Sequence, residues 1–155
     1  AGDDDVLGRR CTSDAAVLRQ KRGIQLQEIA ITGTSEIFQA AQVLTQRAVQ
    51  ARWVTGGNTP LQGFDAIVKA ARDAKLPLII NDPEFVQRGA LVAVGIGWYE
   101  TGKAASKVLA RVLRGEQPLN IPFEEVAVKK LVLNQEVAKA LGITFPPDIV
   151  QAASQ

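Results

Sequence analysis

Two short stretches of this chain carry residue types suited to holding a small polar molecule. In Thr55-Gly56-Gly57-Asn58-Thr59, two glycines let backbone N–H groups come close to a ligand. Asn58 and the two threonines add donors and acceptors. The stretch runs into a helix start, which favours an anionic group. The same residues also fit a plain strand–turn–helix connection in which Asn58 and Thr59 only cap. In Asn81-Asp82-Pro83, the Asp82 carboxylate can accept from a ligand's ammonium or hydroxyl group. Its simpler role is to cap the helix that Pro83 opens. Trp98 and Tyr99 follow a strand end and could stack on a ligand, although aromatic residues there also serve in packing or hinges. Lys129-Lys130 reads as a solvated edge.

Little else in the sequence offers chemistry. The chain has no histidine. This removes Ser-His-Asp and Cys-His nucleophilic sites, imidazole bases and histidine-ligated metals. Its single cysteine, Cys11, builds neither a disulfide nor a zinc site. Gly95-Ile96-Gly97 sits between a strand and a helix, as a dinucleotide fingerprint would. However, Glu100 stands where the third glycine belongs and would set a negative charge beside a pyrophosphate. These observations predict a non-enzymatic chain with no catalytic residue, no cofactor and no metal.

The elements that must position these residues alternate between strand and helix. Residues 1–12 show no period and read as an irregular start. Ser13 caps a helix over Asp14–Arg22, which Gly23 ends. Ile24–Ile31 reads as a strand that becomes buried. Thr34 or Ser35 caps the next helix, whose stripe is Ile37, Ala40, Ala41, Leu44 and Ala48. Ala51–Val54 is a strand. Thr59 and Pro60 then open a helix as N-cap and first residue, with Phe64, Ile67, Val68, Ala71 and Ala74 facing inward.

Leu78–Ile80 is a strand, Glu84–Arg88 a short helix, and Ala90–Ile96 an apolar run of the buried-strand type. Gly97–Tyr99 reads as a turn. The helix that follows to Arg114 buries Ala105, Val108, Leu109 and Val112. Val126–Leu133 is the last strand. Asn134 caps a helix that Gly142 closes, and Pro146-Pro147 leads into a C-terminal helical turn. The pattern is α/β: a doubly wound, mostly parallel sheet with helices on both faces. Ligands bind such sheets beyond the carboxyl ends of the strands, which selects residues 55–59, 81–84 and 97–99.

The 155 residues suit one domain, with 46% hydrophobic and 22% charged residues. With 18 basic and 16 acidic residues the net charge is +2. This leaves no basic face for nucleic acid and no polybasic membrane patch. No signal peptide opens the chain. The lack of any methionine points to a processed or partial chain.

Taken together, GIQLQE at Gly23–Glu28, TSEIFQAA at Thr34–Ala41, Gly57-Asn58-Thr59, PLIIND at Pro77–Asp82, YETG at Tyr99–Gly102 and LVLNQEVAKALGITFPP at Leu131–Pro147 resemble one family. It is the ABC-transporter substrate-binding family, of the type I periplasmic-binding-protein fold. The resemblance runs from about Gly23 to Ala153. It implies a clamp of two lobes that closes on a solute such as an amino acid, held for an ABC permease outside the cytoplasm. Thr55, Gly57, Asn58, Thr59, Asn81 and Asp82 would then line the cleft, with Trp98 and Tyr99 near it. The family more often has an acidic residue where Gly57 stands. Residues 13–155 would form the C-terminal lobe plus a segment, near Val94–Pro122, that crosses back to an N-terminal lobe missing from this chain. Two alternatives stay open. One is a nucleotide-binding enzyme domain of Rossmann-like or flavodoxin-like fold. The other is a truncated lobe that self-associates through its exposed lobe-facing surface.

Overall fold

The computed structural model of the chain describes residues 23–55, 57–123 and 128–153. The expected irregular start and the helix over Asp14–Arg22 lie outside them. The helices are α1 (Ile37–Gln46), α2 (Asn58–Gln62), α3 (Phe64–Asp73), α4 (Trp98–Leu113), α5 (Gln135–Leu141) and α6 (Pro147–Ala152). The strands are β1 (Arg52–Val54), β2 (Leu78–Ile80), β3 (Val92–Ile96) and β4 (Lys129–Leu133). They form one sheet in the order β1-β2-β3-β4. The first three run parallel, and β4 returns antiparallel to β3. The α/β, mostly parallel architecture is therefore the one the alternation of elements predicts.

Register explains where the core lies. Val54, Ile80, Ala93 and Val132 stand side by side across the four strands, with Leu78 on the same face. α1 and α3 cover this face. Ile37, Phe64, Ile67, Val68 and Ala71 pack onto Val54, Leu78, Ile80 and Ala93 in one buried cluster. Phe64, Leu78, Ile80 and Val86 are the largest fully buried side chains. Burying each large apolar side chain contributes about 1.5–3 kcal/mol, so this face dominates the stability. The opposite face carries the row Trp53, Ile79, Val92 and Leu133. There Trp53 is 41% exposed and Val94 56%.

Several local expectations change. Ile24–Ile31 enters no strand ladder among the described residues. Its alternation is real, yet a strand needs a neighbour for its N–H and C=O groups, and no described residue supplies one. Neither Thr34 nor Ser35 caps α1; Gly33 precedes a single 3-10 turn over Thr34–Glu36. Glu36 instead reaches back to accept from the Thr32 N–H at 3.0 Å. That bond, with the Thr32 hydroxyl, holds the Glu36 carboxyl below its ordinary value. α1 ends at Gln46, so Ala48 leaves the stripe.

Thr59 does not cap α2 either. Gly57 holds that position without a side-chain bond, and Pro60 is third in the helix, still within the first turn where no N–H is needed. The strand expected over 90–96 begins only at Val92, and its central Val94 is exposed rather than buried. α4 has no buried residue, and Leu109 is 58% exposed. The expected α5 cap is present, with Asn134 Oδ1 accepting from the Val137 N–H at 3.0 Å.

One glycine is required by close approach. A Cβ at Gly95 would run into the backbone carbonyl of Asn81 and come within 3.0 Å of Pro83 Cδ. Gly102, within α4, meets nothing within 4 Å. Gly95→Ala is expected to destabilise the fold by about 1–3 kcal/mol in urea unfolding. Gly102→Ala should instead raise helicity, since alanine is favoured over glycine in helices by about 0.5–1 kcal/mol. Equal unfolding midpoints for Gly95→Ala and the parent would contradict this packing.

Candidate functional site

Parallel register brings the loops after β1 and β2 together. Val54 lies beside Ile80, so Thr55 and Asn81 leave the sheet side by side, about 4.8 Å apart as neighbouring strands are. From there the chain turns through Gly57, Asn58 and Thr59 on one side and through Asp82 on the other. Asn58 is exposed, and Thr55, Gly57, Thr59, Asn81 and Asp82 are half-buried. The expected anion-attracting helix start amounts to little, because α2 has only five residues.

Asp82 does the capping work its simpler reading assigned. Its Oδ1 accepts from the Glu84 N–H at 3.0 Å at the head of the 3-10 helix Pro83–Arg88. Its second oxygen makes no hydrogen bond among the described residues. Asn81 is more telling. Its Oδ1 is buried and has no partner, and a buried acceptor left unmatched is rare enough to need an explanation. Nothing in the sequence distinguished that atom from a solvated amide.

The turn bearing Asp82 is held from behind. Val86 is fully buried, and its carbonyl accepts from Asn134 Nδ2 at 2.9 Å. Phe85 meets Phe64 edge to face at 5.0 Å. The Arg88 guanidinium lies over both rings, at 4.7 Å and 5.5 Å from their centres, and bonds Asp65 at 2.9 Å. These contacts tie the Asp82 turn to α3 and α5.

Trp98 and Tyr99 are not turn residues. They form the first turn of α4, because the helix begins directly after Gly97. Trp98 is 57% exposed and Tyr99 78%. β3 runs three residues past Ala93, the last residue in register with β2, which carries them outward from Thr55 and Asn81. They line a cavity of about 220 Å³ with Pro83, Glu84, Ile96 and the Glu100–Lys130 pair. Thr55, Gly57, Asn58, Thr59, Asn81 and Asp82 do not line it. The expected residues therefore fall into two groups, with Pro83 and Glu84 between them. At 220 Å³ the cavity lies below the usual range for drug-sized ligands, roughly 300–1,000 Å³.

Lys130 is not a solvated edge. β4 places it opposite Gly95, and its ammonium reaches Glu100 at 3.1 Å. No short-range sequence signal joins these residues. Glu100 is held below the ordinary carboxyl value first by its own backbone N–H and then by Lys130. A Cβ at Gly97 would sit 2.5 Å from a Glu100 oxygen. The carboxylate thus fills the space over the glycine turn that a dinucleotide phosphate would need, which counts against the nucleotide reading.

These features define a periplasmic-binding-protein type of fold, with polar loops at the strand ends. The chain belongs to the ABC transporter substrate binding protein family, whose model matches residues 14–155. It is 26% identical over 124 residues to a tyrosine-binding protein of Clostridioides difficile, covering 80% of this chain and 36% of that protein. It is 30% identical over 74 residues to an uncharacterized protein of Rickettsia prowazekii, covering 48% of this chain and 24% of that one. Among solved structures it is similar to an ABC domain in complex with L-Trp from Streptococcus pneumonia. There the TM-score is 0.82 and the identity 29%, over 96% of this chain and 50% of that one. A conserved domain protein from Vibrio cholerae shares the fold with a TM-score of 0.78 at 23% identity, over 95% of this chain and 49% of that one. The chain thus spans about half the length of these solved relatives and 36% of the tyrosine-binding protein.

The Glu100–Lys130 contact sets a pH dependence. A carboxyl whose folded pKa is depressed adds stability above its unfolded pKa and loses it as pH falls through the folded value. Lys130→Met is expected to raise the Glu100 titration midpoint, read from its side-chain carboxyl signal by NMR. It should not abolish the depression, since the backbone N–H remains. An unchanged midpoint would show that the pair does not persist in solution.

Proposed function

We propose that this chain is the C-terminal lobe of a solute-binding component of an ABC importer, and that it takes part in holding a small amphipathic molecule such as an amino acid. The single observation that carries the reading is the buried, unpartnered Asn81 Oδ1. It lies beside the half-free Asp82 carboxylate and opposite Thr55, Asn58 and Thr59. Such a set of acceptors suits an ammonium group, and the Thr55 and Thr59 hydroxyls can donate to a carboxylate. The tyrosine and L-Trp named for two relatives support an amino acid with an apolar side chain. This function places the chain outside the cytoplasm, delivering solute to a permease. It requires no catalytic group. The residues from Gly97 to Phe123 then serve as the arm that returns to a second lobe. Trp98, Tyr99, Leu109 and Leu113, all more than half exposed, are its contact side chains.

One lobe supplies about half of a clamp, so weak affinity is expected, with a Kd on the order of millimolar, about 4 kcal/mol. Titration of the isotope-labelled chain with L-tryptophan, L-tyrosine and a panel of other amino acids checks this. Saturable shifts should centre on Thr55, Asn58, Thr59, Asn81 and Asp82. Asp82→Asn should weaken binding about tenfold while keeping the cap to Glu84. Shifts confined to other residues, or none with any amino acid, would overturn the reading.

A second reading rests on the same exposed arm. No residue of α4 is buried, and Leu119 and Phe123 beyond it are fully exposed, at 95% and 110%. Apolar surface of this kind favours association, so the chain by itself is expected to self-associate. Light scattering at rising concentration measures this directly. Leu109→Glu with Leu113→Glu should return a monomer, and a parent that is already monomeric at high concentration would exclude the arm as an interface.

A further inference from the structure

One guanidinium in this molecule already sits among two aromatic rings and a carboxylate. Arg88 lies over Phe85 and Phe64, at 4.7 Å and 5.5 Å from the ring centres, and bonds Asp65 at 2.9 Å. Those groups suit its chemistry. The flat face of a guanidinium stacks on aromatic rings, and its edge carries N–H donors that match a carboxylate.

The same kinds of group line the cavity of about 220 Å³ at the root of α4. Trp98 and Tyr99 supply two rings, both more than half exposed. Glu84 supplies a carboxylate, and its side chain is exposed as well. Glu100 and Lys130 also line the cavity, but they answer each other at 3.1 Å. Glu84 makes no ion pair among the described residues. Asp82 holds its backbone N–H at 3.0 Å, which fixes the turn and leaves the carboxylate unused. The uncompensated charge on the lining is therefore negative and favours a cation. A primary ammonium is a compact, strongly hydrated charge and gains less from ring faces than a planar, weakly hydrated guanidinium.

We propose that this cavity is a binding site for a guanidinium group, held between the Trp98 and Tyr99 rings and the Glu84 carboxylate. The site is separate from the solute loops and does not rest on the reading given to them. Its walls come from two elements: Pro83 and Glu84 from the turn after β2, and Trp98 to Glu100 from the first turn of α4. A bound guanidinium thus bridges the well-packed face of the fold and α4, and steadies the helix against the sheet. The cavity is small enough that the group itself, with a short alkyl stem, is what it takes. A free guanidino compound and the side chain of a polypeptide arginine share this chemistry.

The probe is methylguanidinium chloride, titrated into the isotope-labelled chain and compared with methylammonium chloride and sodium chloride at equal ionic strength. Saturable shifts should centre on the Trp98 indole N–H, Tyr99 and Glu84, with a Kd on the order of millimolar. Methylammonium should bind at least fivefold more weakly, and sodium chloride should give no saturable shift. Glu84→Gln keeps the backbone bond to Asp82 and should weaken methylguanidinium at least fivefold. Trp98→Leu, at an exposed position, should do the same. A blocked Gly-Arg-Gly peptide distinguishes the sources: affinity at least tenfold above methylguanidinium assigns the site to a polypeptide arginine, and equal affinity assigns it to a free compound. Equal binding of methylammonium and methylguanidinium, shifts centred away from the cavity, or affinity untouched by both substitutions would overturn the proposal. Loss of binding here leaves amino-acid shifts at Thr55, Asn58 and Asn81 unaffected, so the two sites fail separately.

Discussion

Burial of one face of the sheet beneath α1 and α3 is the constraint on which the rest of this structure depends. Phe64, Ile67, Val68 and Ala71 project from α3 every three or four residues, and they meet Val54, Leu78, Ile80 and Ala93. A one-residue slip of any strand would exchange its buried and exposed faces. The packing therefore fixes register, and register decides which loops become neighbours. Thr55 and Asn81 adjoin because Val54 and Ile80 do. The close passage of Gly95 over the Asn81 carbonyl then holds β3 hard against the exit of β2. The same constraint leaves the Asn81 side-chain oxygen buried without a donor.

The remainder of the molecule is far less enclosed. The second face of the sheet shows Trp53 and Val94, and α4 buries none of its sixteen residues. An amphipathic helix draws its stability mainly from covering its apolar stripe, and here the stripe is open. The chain spans about half the length of the solved structures it matches. The loops that could hold a solute belong to the well-packed half of the fold, whereas α4 belongs to the open half.

Much of the architecture was legible before any coordinates. The three-residue strand Leu78–Ile80 and the stripe of α3 were readable because each is strongly apolar at its own period. Asn134 and Gly142 marked the two ends of α5 through local chemistry alone. Misreadings arose where an outcome depended on a distant neighbour. Ile24–Ile31 has strand alternation but no pairing strand among the described residues. Ala105, Val108, Leu109 and Val112 have helix spacing, yet Ala105 and Leu109 are exposed and Val108 and Val112 only half-buried. Thr59 is a good capping residue, yet the helix begins two residues earlier than that cap would place it, at Asn58. Of the site, Asp82 and the 55–59 loop could be found from strand ends. Glu100 with Lys130 could not, because thirty residues separate them and only the antiparallel return of β4 brings them together.

By itself, the sequence determined the alternation of strand and helix, the apolar stripe of α3, the absence of histidine chemistry and the position of polar loops at strand ends. These properties follow from residue type and short-range spacing, which act within a few residues of the chain. Tertiary structure decided which polar atoms have partners. It left Asn81 Oδ1 unmatched, gave one oxygen of Asp82 to a cap, filled the glycine turn with Glu100 and buried the Arg52 guanidinium. Each outcome depends on desolvation and on groups brought together from distant parts of the chain. Local sequence carries no record of either.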